Sequence, residues 1–133
     1  MSIQVLGKTN VKCNGDNTGS IQIDVSGGAP KQIAPGVYQY NYSWTGPNGF
    51  ISATKDIGVL KAGIYSLTVT DSVGCAKSVN IQITEPDALV ISTTVNQITC
   101  NGGNNGSINV TTSGGTLPHT VTWNTLASGN FQN

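Results

Sequence analysis

Three cysteines, one histidine, six acids and four tyrosines are the residues in this chain whose types and spacing could do chemistry. Cys13 and Cys75 lie about sixty residues apart, and Cys100 follows them without a later partner. None sits in a Cys-x-x-Cys pair and His119 is the sole histidine, so a zinc site lacks its ligands. Catalysis asks for a nucleophile with its base, paired carboxylates or a bound metal. His119 reads as a partly exposed strand residue rather than a general base. The glycine-rich turns precede neither a helix nor a Lys-Ser/Thr step, so they are not phosphate loops. These residues point away from an enzyme, with catalytic residues: none.

Three other chemistries remain open. Asp16 and Asn17, with Asn14 or Asp71 from another loop, would offer hard oxygen ligands to calcium. Against this, Asp and Asn are also the ordinary turn formers, and Gly103 stands where a second copy of the loop would repeat Asp16. No other cofactor is implied. Tyr38, Tyr40, Tyr42 and Trp44 share one face of an extended strand by period two. Such a row is either a platform for stacking sugar rings or part of a core. Trp44 reads as core, and Tyr38 and Tyr40 are the ligand candidates, Tyr38 the most exposed of them. Asp71-Ser72-Val73 fits a short signal for O-glycosylation at Ser72, and equally an Asp-Ser turn before Gly74.

The elements that hold these residues are set by a repeat. The sixteen residues Cys13–Gly28 return as Cys100–Gly115 at an offset of 87, with ten positions identical. Self-similarity at a fixed period marks an array of like units. The expected division is a complete unit over 1–88 and the opening of a second over 89–133. Ser20–Ser26 alternates strictly, with Ile21, Ile23 and Val25 on one face, and reads as a half-buried strand. Residues 29–37, with two prolines, read as a surface loop carrying an eight-residue insertion relative to the second copy. Val37–Trp44, Phe50–Lys55, Ile64–Thr70 and Cys75–Ile83 read as further strands, with Leu60 plugging the core from a turn-rich connection. No segment has helical periodicity. About seven short strands punctuated by turns predict an all-β, immunoglobulin-like Greek-key β-sandwich repeat, followed by the N-terminal part of a second such repeat. For 89–133, lacking partner strands, disorder or strand exchange with a second chain is expected.

Composition limits the partners. Charged residues make up 9% with zero net charge, and the six basic residues are all lysine. A nucleic-acid surface would be basic and arginine-bearing, so nucleic acid is excluded. No apolar run is long enough to cross a membrane as a helix. If each unit bridges its own cysteines, Cys13 pairs with Cys75 and Cys100 is left unpaired by truncation. That staple would contribute ~4 kcal/mol in the chain-entropy account and favours an oxidising, exported setting. Buried free thiols are the alternative.

The ordered motif set makes the chain resemble the SprB-type repeats of giant surface adhesins in gliding Bacteroidota. It comprises Cys13–Ile21, Gly27–Trp44 with its tyrosine-rich strand, Leu60–Cys75, and Ile83–Pro86. Two departures are the insertion at 29–37 and His119, which stands where the family tends to have Tyr. The resemblance implies export by the type IX system, a place on the outer cell surface, and attachment to a substratum during gliding. The expected function is a structural spacer whose partners are neighbouring repeats, with surface polysaccharide as a further partner if the tyrosines and the 29–37 loop form a carbohydrate-binding module.

Overall fold

The computed structural model describes residues 1–124. Among the described residues eleven strands run in order β1 (Ser2–Thr9), β2 (Gly19–Ser26), β3 (Lys31–Ala34), β4 (Val37–Gln39), β5 (Asn41–Thr45), β6 (Ile51–Ser52), β7 (Ile57–Leu60), β8 (Gly63–Thr70), β9 (Ala76–Ile83), β10 (Val90–Asn96) and β11 (Ser107–Ser113). The only helical piece among the described residues is a single 3-10 turn at Pro47–Gly49. The protein is all-β, as its turn-punctuated alternation requires.

A three-stranded sheet, ordered β1-β2-β7, faces a four-stranded sheet, ordered β6-β5-β8-β9. The chain makes the β1–β2 hairpin, crosses to β5 and β6, returns to lay β7 against β2, then crosses again to pair β8 with β5. This is the immunoglobulin-like Greek key. Ile21, Ile23 and Leu60 from one sheet meet Trp44, Tyr65, Leu67, Val69 and Ile83 from the other, all essentially inaccessible to water. Period-two alternation puts them there: Gln22 is exposed between Ile21 and Ile23, and Ser66 and Thr68 separate the three buried side chains of β8. At the start of β8 Tyr65 is buried and Ile64 is turned to solvent.

Two motifs find their physical reason here. Trp44 sits on β5 between the sheets, and its indole N–H donates to Thr54 O at 2.9 Å. Tyr65, near the start of β8, sends its hydroxyl back to Lys61 O at 3.0 Å, the tyrosine corner of such sandwiches. Burial pushes its phenol pKa up. Gly46 lies so close to the Tyr65 ring that a Cβ would come within 2.6 Å of it, and Gly63, at φ +147°, would drive one into Pro47. Both glycines are demanded by close approach.

Val37–Trp44 is two strands divided at Tyr40 rather than one, and Phe50–Lys55 holds only the two-residue β6. Three further expectations need correction. Residues 29–37 are not an irregular loop: β3 and β4 pair as an antiparallel hairpin through Lys31↔Gln39 and Gln32↔Tyr38. Ile57–Leu60 is a strand on the edge of the first sheet, joined to β2 through a bulge at which Val59 takes φ +58°. The bulge breaks the alternation that would have marked it. Thirdly, β10 and β11 form a seven-pair hairpin, from Val90↔Ser113 to Asn96↔Ser107, where disorder was one expectation. Its faces stay open: every residue of β10 is exposed.

Candidate functional site

The geometry divides into a groove on one flank and two poles. β1 and β9 run side by side, with Lys77 Nζ at 3.5 Å from Met1 O at one end and Thr84 N donating to Asn10 Oδ1 at the other. The upper pole therefore gathers Met1, Gly27–Ala29, the β3–β4 hairpin and the turn Asp71–Cys75. The lower pole gathers the loop from Asn10 to Thr18 and the segment Thr84–Ala88.

The groove, of about 580 Å³, opens beside the end of β2 and the base of the β3–β4 hairpin. Tyr38, Tyr40 and Tyr42 line it together with Asp24 and Lys55. Tyr38 is 57% exposed, whereas Tyr40 is buried and its hydroxyl donates to Gly27 O at 2.9 Å. Tyr40 is thus a packing residue whose ring edge meets Tyr42 at a centroid distance of 6.5 Å. Tyr42 is the residue that sequence reasoning passed over. It is half-buried, and its phenol pKa is raised chiefly by desolvation. The period-two stripe already contained it. Lys55 Nζ meets Asp24 Oδ1 at 2.9 Å; that hydrogen bond lowers the carboxyl pKa and raises the ammonium's. The groove therefore offers one open ring, one half-buried ring and a solvent-exposed ion pair, which suits polar, ring-bearing ligands.

The calcium candidates do not come together. Asp16 and Asn17 lie at the lower pole and Asp71 at the upper one. Asp71 is buried and fully occupied: Oδ2 accepts from Ala29 N at 3.0 Å, while Oδ1 accepts from Val73 N at 3.1 Å and Cys75 N at 2.9 Å. These bonds, the one from Ala29 first, hold its carboxyl below the ordinary carboxylate range. Asp71 locks a turn. Asp16 contributes its main-chain N–H, which donates to Cys13 O at 3.1 Å, and Gly103 N repeats that bond to Cys100 O at 2.9 Å. A main-chain role explains how glycine can replace the acid. Among the described residues, no three His, Cys, Asp or Glu side chains gather in a metal-holding group.

The expected Cys13–Cys75 bridge is absent: all three cysteines are free thiols and all are exposed. Cys13 is at the lower pole and Cys75 at the upper, separated by the eight-residue β9. That is about 25 Å at the rise of a strand, whereas a disulfide needs Cα atoms within about 7 Å. Loop length alone permitted the pairing; the length of β9, with Cys75 before it and the Cys13 loop against its far end, forbids it. Ser72 is exposed at the upper pole, with its hydroxyl donating to Ala29 O at 2.6 Å. His119 Nδ1 shares a hydrogen bond with Thr112 Oγ1 at 2.8 Å.

The lower pole shows what the Cys-Asn-Gly and Thr-Glu-Pro motifs do for one another. Asn14 Nδ2 donates to Pro86 O at 3.1 Å, and Gly15, at φ +82°, donates its N–H to Glu85 Oε2 at 2.7 Å. Val11 N donates to Thr84 O at 2.9 Å. Motifs about seventy residues apart in sequence thus clamp the segment that leads into β10.

Comparison with known families gives a match at two places along the chain. The model of the SprB repeat matches the chain twice, over residues 8–49 and 92–128. No curated protein and no solved structure gave a match.

Proposed function

The chain belongs to the SprB repeat family, and on that footing we propose that it is a structural repeat unit of a large cell-surface adhesin, working as a spacer in an array used for attachment and gliding. The observation that carries this reading is the clamp on Glu85 and Pro86. A unit that grips its own exit segment, Thr84–Pro86, with four hydrogen bonds passes orientation to the next unit instead of swinging freely. Pro86 adds a fixed φ at the same point. The complete unit is 1–88, and 89–133 opens the following one. SprB repeats occur in cell-surface proteins, which supports an extracellular location; type IX export and outer-membrane attachment belong to the same proposal. Small-angle scattering tests the spacer role. Wild-type chain should scatter as one elongated particle, and Asn14→Ala with Glu85→Ala should broaden the distribution of inter-unit distances. Identical scattering from both would remove the reading.

A second reading rests on the groove. An exposed Tyr38, a half-buried Tyr42 and the Asp24–Lys55 pair around about 580 Å³ suit a surface polysaccharide. A glycan array should give hits that Tyr38→Ala abolishes; no hits on wild-type chain would exclude it. Ser72 is proposed as an O-glycosylation acceptor, and a hexose-sized increment in the intact mass of chain expressed in an exporting host would establish it.

A further inference from the structure

Cys13 and Cys75 are exposed thiols at opposite poles of one unit, and an array joins the lower pole of each unit to the upper pole of the next. We propose that they form a disulfide between successive repeats, from Cys13 of one to Cys75 of the repeat that follows. The proposal rests on the spacer reading above and adds a covalent link to it.

The junction already present in the chain carries the argument. Thr116 is the second copy's counterpart of Ala29, at the common offset of 87. Its hydroxyl donates to Lys12 O at 2.9 Å, on the residue next to Cys13, while Gly115 N donates to Asp87 O at 2.7 Å. In the complete unit, residue 29 is the seat of the turn that bears Cys75. Ala29 O accepts from Ser72 N at 3.0 Å and Ser72 Oγ at 2.6 Å, and Asp71 accepts from both Ala29 N and Cys75 N. Carried over to the following repeat, the same turn seats on Thr116 and so arrives beside Lys12 and Cys13.

There is room for it. A hollow of about 570 Å³ at the lower pole is lined by Val11, Cys13, Glu85, Pro86 and Thr116. Its occupant is the Asp71–Cys75 turn of the next repeat, whose tip carries Val73, an apolar side chain 70% exposed in this unit. Docking would cover Val73 and bring two solvent-facing sulfurs into reach without disturbing either core. In the bridging step two S–H bonds break and one S–S bond forms. Two protons and two electrons pass to a disulfide oxidant of the exported environment, which leaves as two thiols.

The test is the full 133-residue chain preceded by one more copy of residues 1–87, with Ala29→Thr in the second copy so that the junction keeps the hydroxyl that Thr116 supplies, oxidised with glutathione disulfide. The chain's three cysteines and the added copy's two make five. The expected result is one linked peptide pair, joining Cys13 of the first copy to Cys75 of the second, with the other three cysteines still titrating as thiols. Cys13→Ser in the first copy should leave all four remaining thiols free. A bridge within one copy would overturn the proposal, and so would five free thiols. Scattering then separates the two ideas: five free thiols in an end-to-end particle sink only the cross-link. Five free thiols with independently tumbling units sink the spacer as well.

Discussion

The β1–β2 and β10–β11 hairpins share the Cys-Asn-Gly turn and the Gly-Ser-Ile start of their second strands, and end in opposite environments. Ile21 on β2 is wholly buried, while its identical counterpart on β11, Ile108, is 44% exposed. Trp44 keeps 1% of its surface and Trp123 keeps 56%. Even the turn chemistry is shared. Lys12 N donates to Thr18 Oγ1 at 2.9 Å in the first copy, and Thr99 N donates to Asn105 Oδ1 at 3.3 Å in the second. Hairpin formation is therefore local, set by turn residues and cross-strand pairing. Burial is not. It requires the four-stranded sheet that β5, β6, β8 and β9 supply to the first copy, and no such sheet covers β10 and β11 among the described residues.

The largest effect that would break this comparison is at the tryptophans. Trp44→Ala should cost about 3–5 kcal/mol through lost burial and a residual cavity, whereas Trp123→Ala should change stability by less than about 0.5 kcal/mol. Urea titrations followed by circular dichroism measure both; equal losses would mean that both copies are packed. The isoleucines sharpen the point at one residue type. Ile21→Ala should cost about 2–5 kcal/mol and Ile108→Ala only about 0.5 kcal/mol, read from the same titrations. Tyr65→Phe removes one hydrogen bond while keeping the ring, so about 1 kcal/mol should be lost. Here the midpoint should move with no change in slope.

Acid should separate the regions too. The folded pKa of Asp71 lies below its ordinary value of 3.8, so its contribution is complete above that pH and disappears as pH falls through the folded value. The wild-type melting temperature should therefore drop in that range more steeply than that of Asp71→Asn. Parallel curves would show that the turn does not depend on the charge. The smallest expected effect is Asp16→Gly, which copies the second unit and should leave stability within about 0.5 kcal/mol, because only the main-chain N–H of residue 16 is used.

Much of this was legible in the residues themselves. Alternation placed Ile21 and Ile23 together on one inward face, since a strand sends successive side chains to opposite faces whatever it packs on. The repeat, the all-β class and the family rest on order and spacing along the chain. What one dimension could not carry was which ends meet. Cys13 with Cys75, and Asp16 with Asp71, were compatible by loop length, yet β9 holds each pair at opposite poles. The clamp between Asn14, Gly15, Glu85 and Pro86 was equally invisible, because it joins segments about seventy residues apart that only the parallel lie of β1 beside β9 brings together. Periodicity is a property of neighbours in sequence and can be read from them, whereas proximity between distant segments is decided when two sheets close over one core.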